Sequence, residues 1–305
     1  MRVKDLHELP KFRDGLSYLY LEHCKIDQRY KAVEAIDKLG RTLIPVASLA
    51  VLMLGPGTSI THEAVKTLTD NGCTILWTGE EGVRMYAQGL GETRRGYHLL
   101  RQAELASNPV TRLEVALRMY ELRFGHKLDP TLTLEQIRGH EGARVRAAYV
   151  QASREYGVPW KGRQYDRKNW AAGDPINRAI SAASACMNGI AHAAIVSAGY
   201  SPGLGFIHTG KQLSFVFDIA DLYKTEITIP VAFAVTAEGT HKLERRVRYA
   251  CRNAFRETRL LGRIVEDIER VLDLSRDVLD KGKEVDADPA RPEPWWTPPD
   301  MVKEE

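Results

Sequence analysis

The hydrophobic periodicity of this 305-residue chain changes once, near residue 91, and that change limits the architectures open to it. From Gly15 to about Gly89 the apolar residues come in short runs: LSYLYLEHCKI, KAVEAID, TLIPV, LAVLML, CTILWT and VRMYAQ. Turn residues close them, as in KLGR from Lys38 to Arg41, GPGT and GEEG, so the runs read as strands. One short helix is expected from Ser59 to Leu68, with Ala64, Val65 and Leu68 facing inward. Beyond Gly91 the apolar positions recur at helical spacing to about Leu279. Strands followed by helices place the chain in the α+β class. The expected architecture is a small N-terminal β-sandwich-like domain over residues 1–90 and a larger all-α catalytic domain over 91–280. The two meet near GLGETRRG, and a proline-rich acidic tail over 281–305 is expected to be mobile.

Within the helical part, Thr133 and Gln136 have capping-box spacing and start a helix that carries Glu141 between Gly139 and Gly142. Those glycines lower local bulk, so a partner or metal can approach. An earlier helix has Leu113, Ala116, Leu117 and Met119 or Tyr120 on its apolar side, and its Arg112, Glu114, Arg118 and Glu121 read as a solvated face. Asp174-Pro175 caps INRAISAASACMNGIAHAAIVSAG, whose small residues predict a buried central helix. Just before it, KGRQYDRKNW is a basic, aromatic loop in which Arg163 and Tyr165 suit a phosphate backbone and a stacked base. The last helix is expected from Lys242 to Leu279. It carries Arg245, Arg248, Arg252, Arg256, Arg259 and Arg263 at steps of three or four, a row that suits a phosphate track.

The densest chemistry lies in GFIHTGKQLSFVFDIAD, from Gly205 to Asp221. A helix there would bury Phe215, Ile219 and Leu222 and leave Asp218 and Asp221 on a neighbouring face. Neither aspartate has a basic residue four positions on, which leaves room for a hard divalent cation, with His208 as an imidazole ligand. A solvated helix face and a structural histidine explain the same spacing.

PGLGFIHTGK followed by LSFVFDIADLYK resembles the signature of the CRISPR-associated spacer integrases, the metal-dependent endonucleases of CRISPR adaptation, and GHEG at Glu141 matches the family's upstream glutamate. The resemblance runs from about Gly15 to about Leu279, and GRQYDRKNW, DPINRAISAASACMNG and VRYACRNAFR resemble its subtype I-E branch. It implies that Glu141, His208 and Asp221 bind Mg²⁺ or Mn²⁺, with Asp218 assisting, and that a DNA 3′-hydroxyl attacks a phosphodiester of the CRISPR array. It also implies DNA contacts at Arg84, Arg163, Tyr165, Lys211, Arg245 and Arg248, with Tyr165 and Lys211 reading the fragment's end. Homodimers would flank a dimer of the small ferredoxin-fold CRISPR adaptation protein in a hetero-hexamer that holds a double-stranded prespacer. A stacking aromatic expected near the first strand has Tyr20 or His23 as its loose counterpart, and that role stays open. The alternatives are a branched-DNA repair nuclease and a non-catalytic DNA-binding scaffold.

A net charge of +3 does not identify a polyanion partner by itself. Cys24, Cys73, Cys186 and Cys251 form no C-x-x-C pair, which argues against a zinc site. With no secretory h-region in MRVKDLHELPKFRDG, this predicts a cytoplasmic protein, and no window is expected to reach the roughly 18 apolar residues of a membrane span.

Overall fold

The computed structural model describes residues 18–30, 32–46, 49–80, 85–89, 96–163 and 174–274. Two four-stranded sheets build the N-terminal part. The first has the order β1 (Tyr18–Leu21), β5 (Val51–Leu54), β7 (Thr74–Thr78), β8 (Met85–Gly89); its first three strands are parallel and β8 is antiparallel. The second has the order β4 (Gly40–Ile44), β3 (Ala32–Asp37), β2 (Lys25–Arg29), β6 (Ser59–Ile60). Helix α1 (His62–Asp70) contacts both sheets, through β2, β3 and β7.

Two expectations are corrected here. LSYLYLEHCKI is not one strand: His23 takes a left-handed φ of 53° and its N–H bonds the carbonyl of Pro56, so the chain leaves the first sheet and enters the second. Ser59 and Ile60 are not helical. They pair with Lys25 and Ile26, and Thr61 is the residue that caps α1, through its hydroxyl and the Ala64 N–H.

The first sheet has two buried faces. Leu52, Leu54 and Ile75 belong to the sandwich core with Ile26, Val33 and Leu68, while Val51, Met53 and Leu76 belong to the core of the helical part. A parallel sheet covered on both sides needs continuous apolar strands, which is why LAVLML lacks alternation.

The helical part comprises α2 (Gly96–Ser107), α3 (Pro109–Phe124), α4 (Leu134–Tyr156), α5 (Pro175–Ser197), α6 (Ser214–Ala220), a π-helical turn (Lys224–Thr228), α7 (Ile229–Ala237), α8 (Leu243–Glu257) and α9 (Leu260–Val271). The Asp174 carboxylate caps α5 by accepting the Asn177 N–H at 2.9 Å. Ala179, Ala183, Ala191 and Ala194 are fully buried, so α6, α7, α8, α9 and strands β7 and β8 pack against α5. Contrary to the expectation for membrane spans, α5 is by length and composition apolar enough to cross a bilayer, but most of it is covered by these neighbours.

The single helix expected from Lys242 to Leu279 is broken. Arg259 adopts φ 49°, a left-handed conformation that ends α8 before Leu260 starts α9. The stretch from residue 275 on, including the tail, lies outside the described residues.

Candidate metal centre

Asp218 organises the segment that carries His208. It is fully buried in α6, and its carboxylate accepts the consecutive backbone N–H groups of Phe206 at 2.6 Å, Ile207 at 3.1 Å and His208 at 2.8 Å. The same carboxylate bonds His208 Nδ1 at 2.7 Å. A carboxylate only accepts, so Nδ1 donates, and in the neutral imidazole Nε2 keeps its lone pair. This corrects the expectation that Asp218 shares an open face with Asp221. It points into the protein, and three amides and an imidazole satisfy it.

The close approach requires Gly205, because a Cβ there would lie 2.3 Å from the His208 carbonyl oxygen and 2.8 Å from Ser214 Cβ. Helices α2 and α3 hold the same segment from outside. Gln102 donates to the carbonyls of Ser201 and Leu204 at 3.0 Å and accepts the Ser201 N–H at 2.8 Å. Arg112 Nε donates to the Phe206 carbonyl. Arg118 Nε donates to the carbonyl of Val271, so the charged side of α3 is not simply solvated as expected.

A buried arginine, missed in the sequence, gathers the acidic groups. Arg123 has a side chain only 3% exposed; its guanidinium lies 3.6 Å from Glu141 Oε1 and 3.9 Å from Asp221 Oδ2, and it donates to the Asp218 carbonyl at 3.1 Å. It extends the buried stripe of Val115, Met119 and Tyr120 on α3. An arginine at such a position must be paired to be buried, which is the signal that could have found it. Asp221, just past the end of α6, also has Lys224 at 3.7 Å, three residues on. The expectation of no neighbouring cation considered only the position four residues on. Glu141 pairs with Arg144 Nε at 3.0 Å.

The bond from Asp218 raises the pKa of His208 above the ordinary imidazole value; burial opposes this, and the charges of Asp218 and Asp221 reinforce it. Glu141 and Asp221 thus flank one guanidinium, and His208 feels both Asp221 and Arg123. Among the described residues, however, no three histidine, cysteine or acidic side chains stand close enough to hold a metal ion as they are. The carboxylates are turned toward Arg123, Arg144 and Lys224 instead. The donor set itself, two carboxylates and one oriented imidazole lone pair beside a buried cation, fits a hard divalent ion. A Cβ at Gly139 would meet nothing within 4 Å, and one at Gly142 only the flexible end of Arg146, so α4 is open on both sides of Glu141.

Residues 121–250, which hold all four of these groups, match the family model described as CRISPR associated protein Cas1. The CRISPR-associated endonuclease Cas1 2 of Thermus thermophilus is 54% identical over 96% of this chain and 90% of its own length. The chain belongs to the Cas1 family. The Escherichia coli CRISPR-associated endonuclease Cas1 is 46% identical over 88% of each chain, in keeping with the I-E-like wording. The crystal structure of a TtCas1–DNA complex, 55% identical, superposes with a TM-score of 0.78 over 88% of this chain and 100% of that one. Its likeness agrees with the β-rich part followed by the helical part.

Four of the expected DNA-contact residues of this Cas1 chain are among the described residues. Arg84 and Tyr165 lie outside the described residues. Arg163 is held on α5, donating to the carbonyl and side chain of Asn177 and to Ser181 Oγ at 2.7 Å. Lys211 is exposed in the turn before α6, three residues from His208. The break at Arg259 and several internal partners divide the arginine row. Arg248 pairs with Glu80 at 2.6 Å, linking α8 to the end of the first sheet, and Arg263 pairs with Glu226. Arg245 and Arg252 flank the Tyr249 ring at 5.5 and 5.2 Å. Tyr20 donates to Glu22 and covers Gly55.

Proposed function

We propose that this chain is a DNA endonuclease and integrase of CRISPR adaptation, joining the 3′-hydroxyl of a prespacer to a phosphodiester of the repeat. Membership of the Cas1 family supports the reaction class. The observation that carries the assignment of the site is the meeting of Glu141 and Asp221 at Arg123, beside an imidazole tied at Nδ1 to a buried carboxylate.

In this reading Glu141, Asp221 and His208 Nε2 hold a divalent cation, Mg²⁺ or Mn²⁺. When bound, such an ion polarises the phosphodiester and stabilises the charge that develops on it. Asp218 orients the imidazole from behind and touches neither ion nor DNA. Arg123 keeps the two carboxylates from repelling one another. With a DNA 3′-hydroxyl as the attacking group the reaction is transesterification; with water the same residues cleave DNA. Lys211 and Tyr165 select the fragment's end, and Arg84, Arg163, Arg245 and Arg248 contact the phosphate backbone. The division near residue 90, the homodimer, the hetero-hexamer with the small ferredoxin-fold adaptation protein and the cytoplasmic location belong to the same proposal.

The test is a strand-joining and cleavage assay with Mg²⁺ or Mn²⁺ on Glu141→Gln, His208→Ala and Asp221→Asn. All three are expected to lose both reactions, while duplex affinity measured without a divalent ion does not fall below the unsubstituted protein's. Retained joining in His208→Ala with Mn²⁺ would falsify the ligand assignment.

A further inference from the structure

Six charged groups lie at this site: Glu141, Asp221 and the buried Asp218 against Arg123, Arg144 and Lys224. Without an ion, the carboxylates are therefore already neutralised. A divalent cation adds two positive charges to a place that has no negative charge to spare, so some resident cation must give up its carboxylate. Arg123 cannot. It is sealed in the core, bonded to the Asp218 carbonyl and packed 5.5 Å from the Tyr120 ring centre.

Arg144 can. It lies on α4 one turn beyond Glu141, and its side chain is 28% exposed, so its guanidinium reaches solvent. It also has supports that do not depend on Glu141: Nη1 donates to Thr225 Oγ1 at 3.0 Å, and its Cζ lies 5.9 Å from the Phe124 ring centre. These keep the guanidinium at the rim when the carboxylate turns away. A planar fork with freed N–H donors beside a bound cation matches a phosphodiester, which it can grip through two oxygens at once. Lys224 is also exposed enough to leave Asp221, but as a single point charge it offers no such fork.

We propose that Arg144 exchanges partners during the reaction: it is the counter-ion of Glu141 in the metal-free site and contacts the scissile phosphate once Glu141 takes the divalent cation. This rests on the reading of Glu141 as a metal ligand. It makes cation and DNA binding mutually reinforcing, because DNA draws Arg144 off Glu141 and the cation releases Arg144 toward DNA.

The experiment measures free Mn²⁺ by electron paramagnetic resonance in titrations of the full chain, with and without a short branched duplex, and duplex affinity by fluorescence anisotropy. In the unsubstituted protein, DNA tightens Mn²⁺ binding and Mn²⁺ tightens DNA binding by the same factor. Arg144→Gln is expected to bind Mn²⁺ alone roughly tenfold more tightly, the scale of removing one charge near a divalent ion. The mutual tightening is expected to shrink to the part that the ion's own contact with the phosphodiester supplies. Arg144→Lys, which keeps the charge without the fork, restores weaker Mn²⁺ binding. If Arg144→Gln binds Mn²⁺ no better or more weakly, while Glu141→Gln abolishes binding, Arg144 merely orients Glu141 and the exchange is wrong. If Glu141→Gln binds Mn²⁺ normally, the ligand assignment falls and the exchange falls with it.

Discussion

Replacing Asp218 with asparagine isolates what the buried carboxylate does. Its two oxygens accept four hydrogen bonds, with Phe206 and Ile207 on Oδ2 and the two His208 groups on Oδ1. An asparagine keeps one acceptor oxygen, and its NH₂ group faces donors in place of the other. If the NH₂ takes the Oδ1 position, His208 can recover one bond only by accepting at Nδ1, which moves its proton to Nε2 and removes the lone pair offered to a cation. Two charge-assisted bonds are then lost or reversed at about 1.5–3 kcal/mol each, so a destabilisation of about 3–6 kcal/mol is expected. That is a large part of the roughly 5–15 kcal/mol that holds a domain together. Urea denaturation measures the loss, Mn²⁺ titration measures the ligand, and ¹⁵N NMR of the imidazole reports its tautomer. Glu257→Gln, at an exposed position on α8, is the control and should change stability by less than about 0.5 kcal/mol. A variant that unfolds within about 0.5 kcal/mol of the unsubstituted protein and binds Mn²⁺ normally would refute the orienting role of Asp218.

The Arg248–Glu80 pair joins the two parts of the molecule but has one exposed partner, so a double-mutant cycle should give about 0–1 kcal/mol. If Arg248 also belongs to the phosphate track, Glu80→Gln releases it and tightens nonspecific duplex binding, and Arg248→Gln lowers the log–log salt slope by about 0.9. Unchanged affinity in the first and an unchanged slope in the second would leave Arg248 as a contact between the two parts alone. His192, in α5, has its pKa lowered by burial to about 4. Between that value and about 6.5 the unfolded chain binds the proton and the folded one does not, so stability falls as pH falls across this window and is flat, for this group, on either side. At pH 5 the cost is about 1–2 kcal/mol after allowance for partial exposure, and His192→Gln should remove it; equal pH 7-to-5 losses in both proteins would count against this.

Local pattern determined much of this protein. The change from short apolar runs to helical spacing separates the sheets from the helices. Thr133 with Gln136 starts α4, Asp174 with Pro175 starts α5, and the run of alanines marks α5 as the helix others pack on. These features depend on residues a few positions apart, so they are legible in the chain. The spacing of His208 and Asp221 and the context of Glu141 are local in the same sense. Tertiary structure decided the rest. Apolar residues stand on both sides of His23 and of Arg259, and the short polar stretches between them read equally well as an exposed strand or helix face, so they do not mark the corner between sheets or the break between α8 and α9. Those left-handed residues are set by where the flanking elements must pack. Asp218 and Asp221 look equivalent in sequence, yet one is buried under three amides of a loop turned back by Gly205 and the other faces Arg123 and Lys224. Arg123 meets acids on α4 and beyond α6 only because three helices converge there. Periodicity tells a helix which face to bury, but a charge is neutralised by whatever that burial brings within a few ångströms, and only the packed chain sets those distances.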